Sequence, residues 1–264
     1  MKEFKKYWQT MYRMRFFIRY LVTIGLKNKF RRSKLGILWT FVSPLCLTII
    51  MSVVFSTVFH YDYSDYLPYI LSGILFWDLF SQTFIAGSNT IIGYDSFIRQ
   101  CNHPLTLYTL SNALLFTVSF LISMIALVVI ALLRNPLNVI IGVVTLPLTA
   151  VIFLIFSWAG TTISAYIGVQ YRDYPMGAQL VLQVIWYLSP VFFAEEMFES
   201  NTLLYNWFRL NPVTHMLNLL RAPFLYGRLA SVPDYCYTIG SIAVLALIAF
   251  RMNKKKEKNA IFYL

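Results

Sequence analysis

The 264-residue chain is short of charge: Asp, Glu, Lys and Arg make up 12% of it, about half the share of an ordinary soluble domain. What charge there is sits at the ends. Residues 1–34 carry 11 Lys/Arg and one acid, and residues 251–264 carry five Lys/Arg and one acid. The 216 residues between them hold only six basic and nine acidic side chains. So little charge excludes a soluble core of that size, and a hydrophobic content of 58% excludes disorder. Cysteine is scarce too. Cys46, Cys101 and Cys236 are odd in number and far apart, so they imply neither a disulfide framework nor a metal site. The two in apolar runs read as buried free thiols. The sequence has no G-x-x-x-x-G-K-[ST] phosphate loop, no H-E-x-x-H pair and no Cys/His cluster, which excludes the usual nucleotide cradle and zinc chemistry. No cleavable signal is expected, because Arg13, Arg15 and Arg19 interrupt any apolar core.

What the chain does have is long uncharged runs. A helix needs about 20 apolar residues to cross a bilayer, and transmembrane helices are expected at 35–59, 66–92, 104–133, 143–170, 175–194 and 233–250. The fourth run begins at Asn135 and is too long for one straight span. Pro136 and Pro147 place its first part at the interface, with the span starting after Gly142. Residues 196–232 contain two apolar stretches, each too short to cross, parted by Asn211-Pro212. They read as a re-entrant helix pair, with a loose loop as the alternative. The expected fold is therefore an all-α integral membrane protein with six transmembrane helices, an N-terminal amphipathic interface helix and a re-entrant pair. Its expected parts are an interface helix and basic cluster (1–34), a transmembrane domain (35–250) and a basic tail (251–264). An even number of spans with basic ends places both termini on the cytoplasmic side of the membrane.

Within residues 8–30, Met14, Phe17, Ile18 and Leu21 form one apolar helical face, opposite Arg15, Arg19, Thr23 and Lys27. Such a helix is expected to lie in the headgroup layer, attracted to anionic membrane lipid. The loop 93–103 ends at Pro104 and reads as a short helix able to pass a push from a soluble partner into the membrane, or simply as a connection. Asp78 is the one acid within a span. Aromatics reach 17% and gather near span boundaries. They form an interfacial belt, or else some of them line a pathway whose flat ring faces support a sliding sugar chain.

Arg31-Arg32-Ser33-Lys34-Leu35-Gly36-Ile37-Leu38-Trp39, with Ser43-Pro44-Leu45, closely resembles the start of the first span in ABC-2 type polysaccharide export permeases, most of all O-antigen exporters. In order along the chain, Phe97-Ile98-Arg99, Pro104-Leu105, Arg172-Asp173, Leu188-Ser189-Pro190-Val191-Phe192-Phe193 and Asn211-Pro212 through Arg221 and Gly227 continue the resemblance. Asn102-His103 departs from it, standing where many relatives have an apolar and a basic residue.

The resemblance implies a homodimer in the bacterial inner membrane, working with two separate ATP-binding subunits that hold ATP and Mg. This chain is then a permease and not an enzyme, with no cofactor of its own and no nucleic-acid partner. Asp95, Phe97, Arg99 and His103 would couple to the ATPase. Trp39, Phe55, Phe59, Trp186 and Tyr187 would line the channel. Arg31, Arg32 and Lys34 would attract the pyrophosphate of an undecaprenyl-pyrophosphate-linked glycan entering from the cytoplasm. The alternatives are an ABC-2 permease for capsule, teichoic acid, drug or lipid, an integral-membrane glycosyltransferase, or a passive channel.

Overall fold

The computed structural model describes residues 11–31, 33–59, 62–100, 103–193 and 201–260, and these form helices with no strand among them. The side chains of Phe30, Phe59, Thr202, Leu204 and residues 258–260 lie outside the description. Five helices are long and apolar enough to cross a membrane. They are α2 (Trp39–Phe59), α3 (Tyr63–Ser81, continued by a π-helical turn Gln82–Ala86), α6 (Leu105–Arg134), α7 (Pro136–Gln170) and α11 (Val232–Ala260).

The ends of these helices define two poles. At one, Asp62 caps α3, and Arg134 at the end of α6 pairs with Asp65 and donates from Nη1 to Ser64 O at 2.8 Å. At the other, Glu257 Oε1 near the end of α11 accepts from the backbone N–H of Leu105, the first residue of α6, at 2.9 Å. A helix start leaves N–H groups without intrahelical partners, and Glu257 satisfies one of them across 152 residues of sequence.

Several expected boundaries are corrected. The fourth run is one continuous helix, α7, from Pro136, because proline at the first helical position needs no N–H partner and Pro147 removes only one interior bond. Its 35 residues reach about 52 Å at about 1.5 Å per residue. The fifth segment is shorter than expected. Helix α8 (Tyr174–Tyr187) stops after 14 residues, about 21 Å, and Leu188–Phe193 continues as irregular chain. The last helix runs through the basic tail as far as Ala260. Cys46 and Cys236 are exposed on their helices, not buried. Cys101 lies outside the described residues.

Helix α1 (Arg15–Phe30) buries its apolar face against protein. Ile18 and Leu21 join Leu105, Leu107, Tyr108, Tyr166 and Val169 in one cluster, with Met14 and Phe17 packed beside them. Contacts step together along α1 and α6, from Phe17 against Tyr108 (6.4 Å between rings) to Gly25 against Leu115. The two helices therefore run side by side in the same sense. Glycine at 25 permits this, since a Cβ there would stand 2.8 Å from Leu115 Cδ2. Farther along α6, Ser123 Oγ donates to Thr40 O at the start of α2 at 3.3 Å. Lys27, Lys29, Arg31 and Lys34 thus lie level with residues about 15 to 27 Å along α6.

Helices α9 (Thr202–Leu210) and α10 (Pro212–Tyr226) are joined at Asn211. α10 ends at Gly227, whose φ of +62° suits the left-handed C-cap. There Asn138 Nδ2, near the start of α7, donates to Leu225 O at 3.0 Å.

Candidate functional site

At the Glu257 pole, α4 (Thr90–Gly93) and α5 (Asp95–Gln100) form the link between α3 and α6. Ile98 is buried and Phe97 is half-buried, its ring 6.2 Å from Tyr94 and 6.4 Å from Phe17. The His103 ring lies 5.5 Å from the same Phe17. Phe97 and His103 therefore face inward and fasten the link to α1. Asp95 and Arg99 face outward and pair with each other at 2.6 Å, an exposed i,i+4 contact of little energetic weight. Tyr94 O–H donates to Asn112 Oδ1 at 3.2 Å, and burial pushes its phenol pKa up. Lys256 Nζ donates to Gln170 Oε1 at 3.1 Å, so α11 also touches the end of α7. Phe97 thus packs α5 on α1 through Phe17.

Near the other pole, the break after α8 is held by a polar bracket. Arg221 on α10 is 2% exposed, and its guanidinium reaches five acceptors. Nε donates to Ser72 Oγ (3.3 Å), Nη1 to Tyr69 O–H (2.9 Å) and Pro190 O (2.6 Å), and Nη2 to Val191 O (3.0 Å) and Tyr69 O (3.5 Å). The five N–H donors of arginine are all used, and the cation sits 3.6 Å over the Tyr69 ring. Tyr66 O–H donates to Phe192 O at 2.7 Å and Tyr69 O–H to Phe193 O at 2.8 Å. Leu188 O accepts from Trp207 Nε1 (3.0 Å) and Asn211 Nδ2 (3.1 Å). Ser189 O accepts from the Val191 N–H at 2.7 Å. Every carbonyl from Leu188 to Phe193 is thus satisfied without a helix, the condition for irregular backbone at membrane depth. Close approach is also required at Gly73, where a Cβ would lie 2.9 Å from Val191 O.

A second buried polar group ties α10 to α11. His215 places Nδ1 2.7 Å from Asp234 Oδ1 and Nε2 2.9 Å from Arg209 O, and stacks on Tyr237 at 4.4 Å. Asp234 also accepts from Ser231 N–H, Ser231 O–H and Asn218 Nδ2.

The expected pathway aromatics divide. Phe55 and Trp186 meet through Phe192, with ring centroids 5.7 and 5.0 Å from it, and Trp186 also abuts Trp77 at 4.8 Å. Trp39 and Tyr187 stand exposed, at 48% and 61%. The Phe59 side chain lies outside the description. Arg31 and Lys34 flank the start of α2; Arg32 lies outside the described residues. Asp78 accepts from Gln82 Nε2 at 2.7 Å. Sequence reasoning missed the bracket. Its one signal was Arg221 itself, a cation directly after the uncharged stretch Leu210–Leu220.

Comparison with known proteins fits this geometry. The chain matches the family described as ABC-2 type transporter over residues 3–225. It is similar to an O-antigen export system permease protein RfbA of Klebsiella pneumoniae, 23% identical over 77% of this chain and 78% of that protein. A protein of the same description from Myxococcus xanthus is 24% identical over 90% of this chain and 91% of its own length.

Proposed function

The chain belongs to the ABC-2 type transporter family, and from that premise we propose that it is the permease subunit of an ATP-driven exporter of a lipid-linked polysaccharide, of the O-antigen class. Relatives described as O-antigen export permeases over most of their length carry this reading. Two copies form the channel. α2 and α8 bury little within one copy: Ile50, Val53, Val54 and Val58 of α2 and Leu180, Val181 and Val184 of α8 are exposed. They supply the apolar face that a second copy would cover. Both termini are cytoplasmic, in keeping with the basic ends, which puts α5 on the side of an ATP-binding partner. α5 receives the partner's movement and hands it to α1 and α6 through Phe97 and Phe17. ATP and Mg are bound on the partner.

α8 serves as a sixth, shortened span, and α9–α10 dip into the outer leaflet and return. Asn211 at their turn reaches Leu188 at the end of α8, while the far end of α10 meets the start of α7. The basic segment 27–34, level with the middle of α6, attracts the pyrophosphate of the lipid-linked glycan.

Pull-down of the tagged chain from its native membranes, with mass spectrometry of what co-purifies, tests the assembly. A stoichiometric soluble ATPase is expected, and its reproducible absence beside intact chain overturns ATP-driven transport. Changing Arg31, Arg32 and Lys34 to Gln is expected to reduce glycan export while leaving co-purification intact. Undiminished export by the inserted triple variant removes that role.

A further inference from the structure

A cavity of about 230 Å³ opens beneath the turn at Asn211, walled by Phe80, Phe156, Ile185, Trp207, Met216 and Leu245 among others. Its depth follows from the helix registers. Leu245 is about 20 Å from the first residue of α11, Phe156 about 30 Å from the first residue of α7, and both lie well short of their C-terminal ends. The cavity therefore lies near the mid-length of both helices, between their apolar stretches.

The few polar groups on its wall are already engaged. Trp207 Nε1 is bonded to Leu188 O, Asn211 to Leu188 O, Ser189 Oγ and the Val213 N–H, and Ser241 Oγ to Thr238 O. Water needs two to four polar partners and would find their donors already engaged on an otherwise apolar wall, whereas a dry apolar cavity of about 150 Å³ already suffices to bind a small hydrocarbon. α8 needs support here as well, since Leu182 is the residue it buries among the described residues.

We propose that a phospholipid acyl chain from the bilayer occupies this cavity as a bound ligand, filling the gap between α8 and α11 under the α9–α10 turn. The surrounding medium at this depth is acyl chain, which makes it the occupant at hand. Bound there, the chain gains contacts with aromatic walls on two sides that it lacks in bulk lipid. This inference rests on the membrane placement and not on the identity of the cargo.

The test uses the full-length protein in nanodiscs of phosphatidylethanolamine and phosphatidylglycerol, with a trace of phospholipid carrying a mid-chain diazirine. After illumination, labelled residues are located by peptide mass spectrometry. Labelling of Trp207, Met216 and Leu245 is expected to exceed that of Val244 and Leu247 on the open face of α11 by about fivefold, the ratio for about 1 kcal/mol of preference. Equal labelling of the two sets overturns the proposal. In the filling variant Ser241→Phe, labelling of the cavity residues is expected to fall to the open-face level. Should that variant fail to fold, Ser241→Leu serves in its place. Unchanged labelling in a folded variant overturns the proposal. Displacement of the label by a trace of polyprenyl phosphate, but not by added phospholipid, overturns the assignment to a phospholipid chain in favour of an isoprenoid one.

Discussion

Replacing Arg221 by Lys keeps the charge and removes the fork. The guanidinium serves five acceptors spread over α3 and the 190–191 backbone, whereas an ammonium has three donors on one atom. At least two of the five contacts are lost, and Val191 O, which depends on Nη2, is the acceptor left bare, at about 1–3 kcal/mol, because Pro190 O keeps the Tyr69 hydroxyl and Tyr69 O keeps Ser72. A loss of about 1–3 kcal/mol follows, or roughly 2–12 °C in melting temperature for a protein of this size. Arg221→Met strands the same Val191 carbonyl but removes the buried charge and its desolvation cost. It is therefore expected to lose no more than Arg221→Lys, against the usual ranking of conservative changes. Thermal unfolding in detergent, followed by tryptophan fluorescence, measures both. Exposed Arg228→Lys serves as the control. An Arg221→Lys protein that melts within about 2 °C of the parent would refute the bracket.

Other expectations follow from single contacts. Gly227→Ala places a Cβ 2.2 Å from Asn138 Oδ1 at a φ of +62°; a loss of about 1–2 kcal/mol is expected in the same melting assay. Phe17→Ala and Phe97→Ala, combined in a double-mutant cycle, should be non-additive by about 0.5–1.5 kcal/mol, and additivity would mean that the ring contact does not hold α5 to α1. The Ser64 backbone N–H, and then its side chain, lower the pKa of Asp62. A depressed carboxylate pKa contributes stability above the unfolded value of 3.8, which is lost as pH falls through the folded value. The melting difference between the parent and Asp62→Ala should thus hold steady from neutral pH to about pH 5 and shrink below pH 4. A difference that grows on acidification would contradict the cap.

Membrane placement, an all-helical fold and the positions of most spans were legible along the chain, because crossing hydrocarbon requires about 20 consecutive apolar residues and such runs are local. The same is true of the amphipathic face of α1, where Ile18 and Leu21 recur at helical spacing and are buried. Family motifs around Arg31–Trp39 and Ser189–Phe193 were readable for the same reason.

Only the tertiary structure decided what those segments meet. Whether α8 continues past Tyr187 depends on donors about 120 and 31 residues away, Tyr66 and Tyr69 on one side and Arg221 on the other. The face of α1 meets α6 in place of lipid, with Ile18 and Leu21 buried against Leu105 and Tyr108. Periodicity records that a face is apolar and cannot say whether protein or acyl chain covers it, since both are equally dry. Hydrogen bonds inside a bilayer have no water to fall back on. The partners of the carbonyls from Leu188 to Phe193 therefore had to come from distant parts of the chain, and only the fold brings them there.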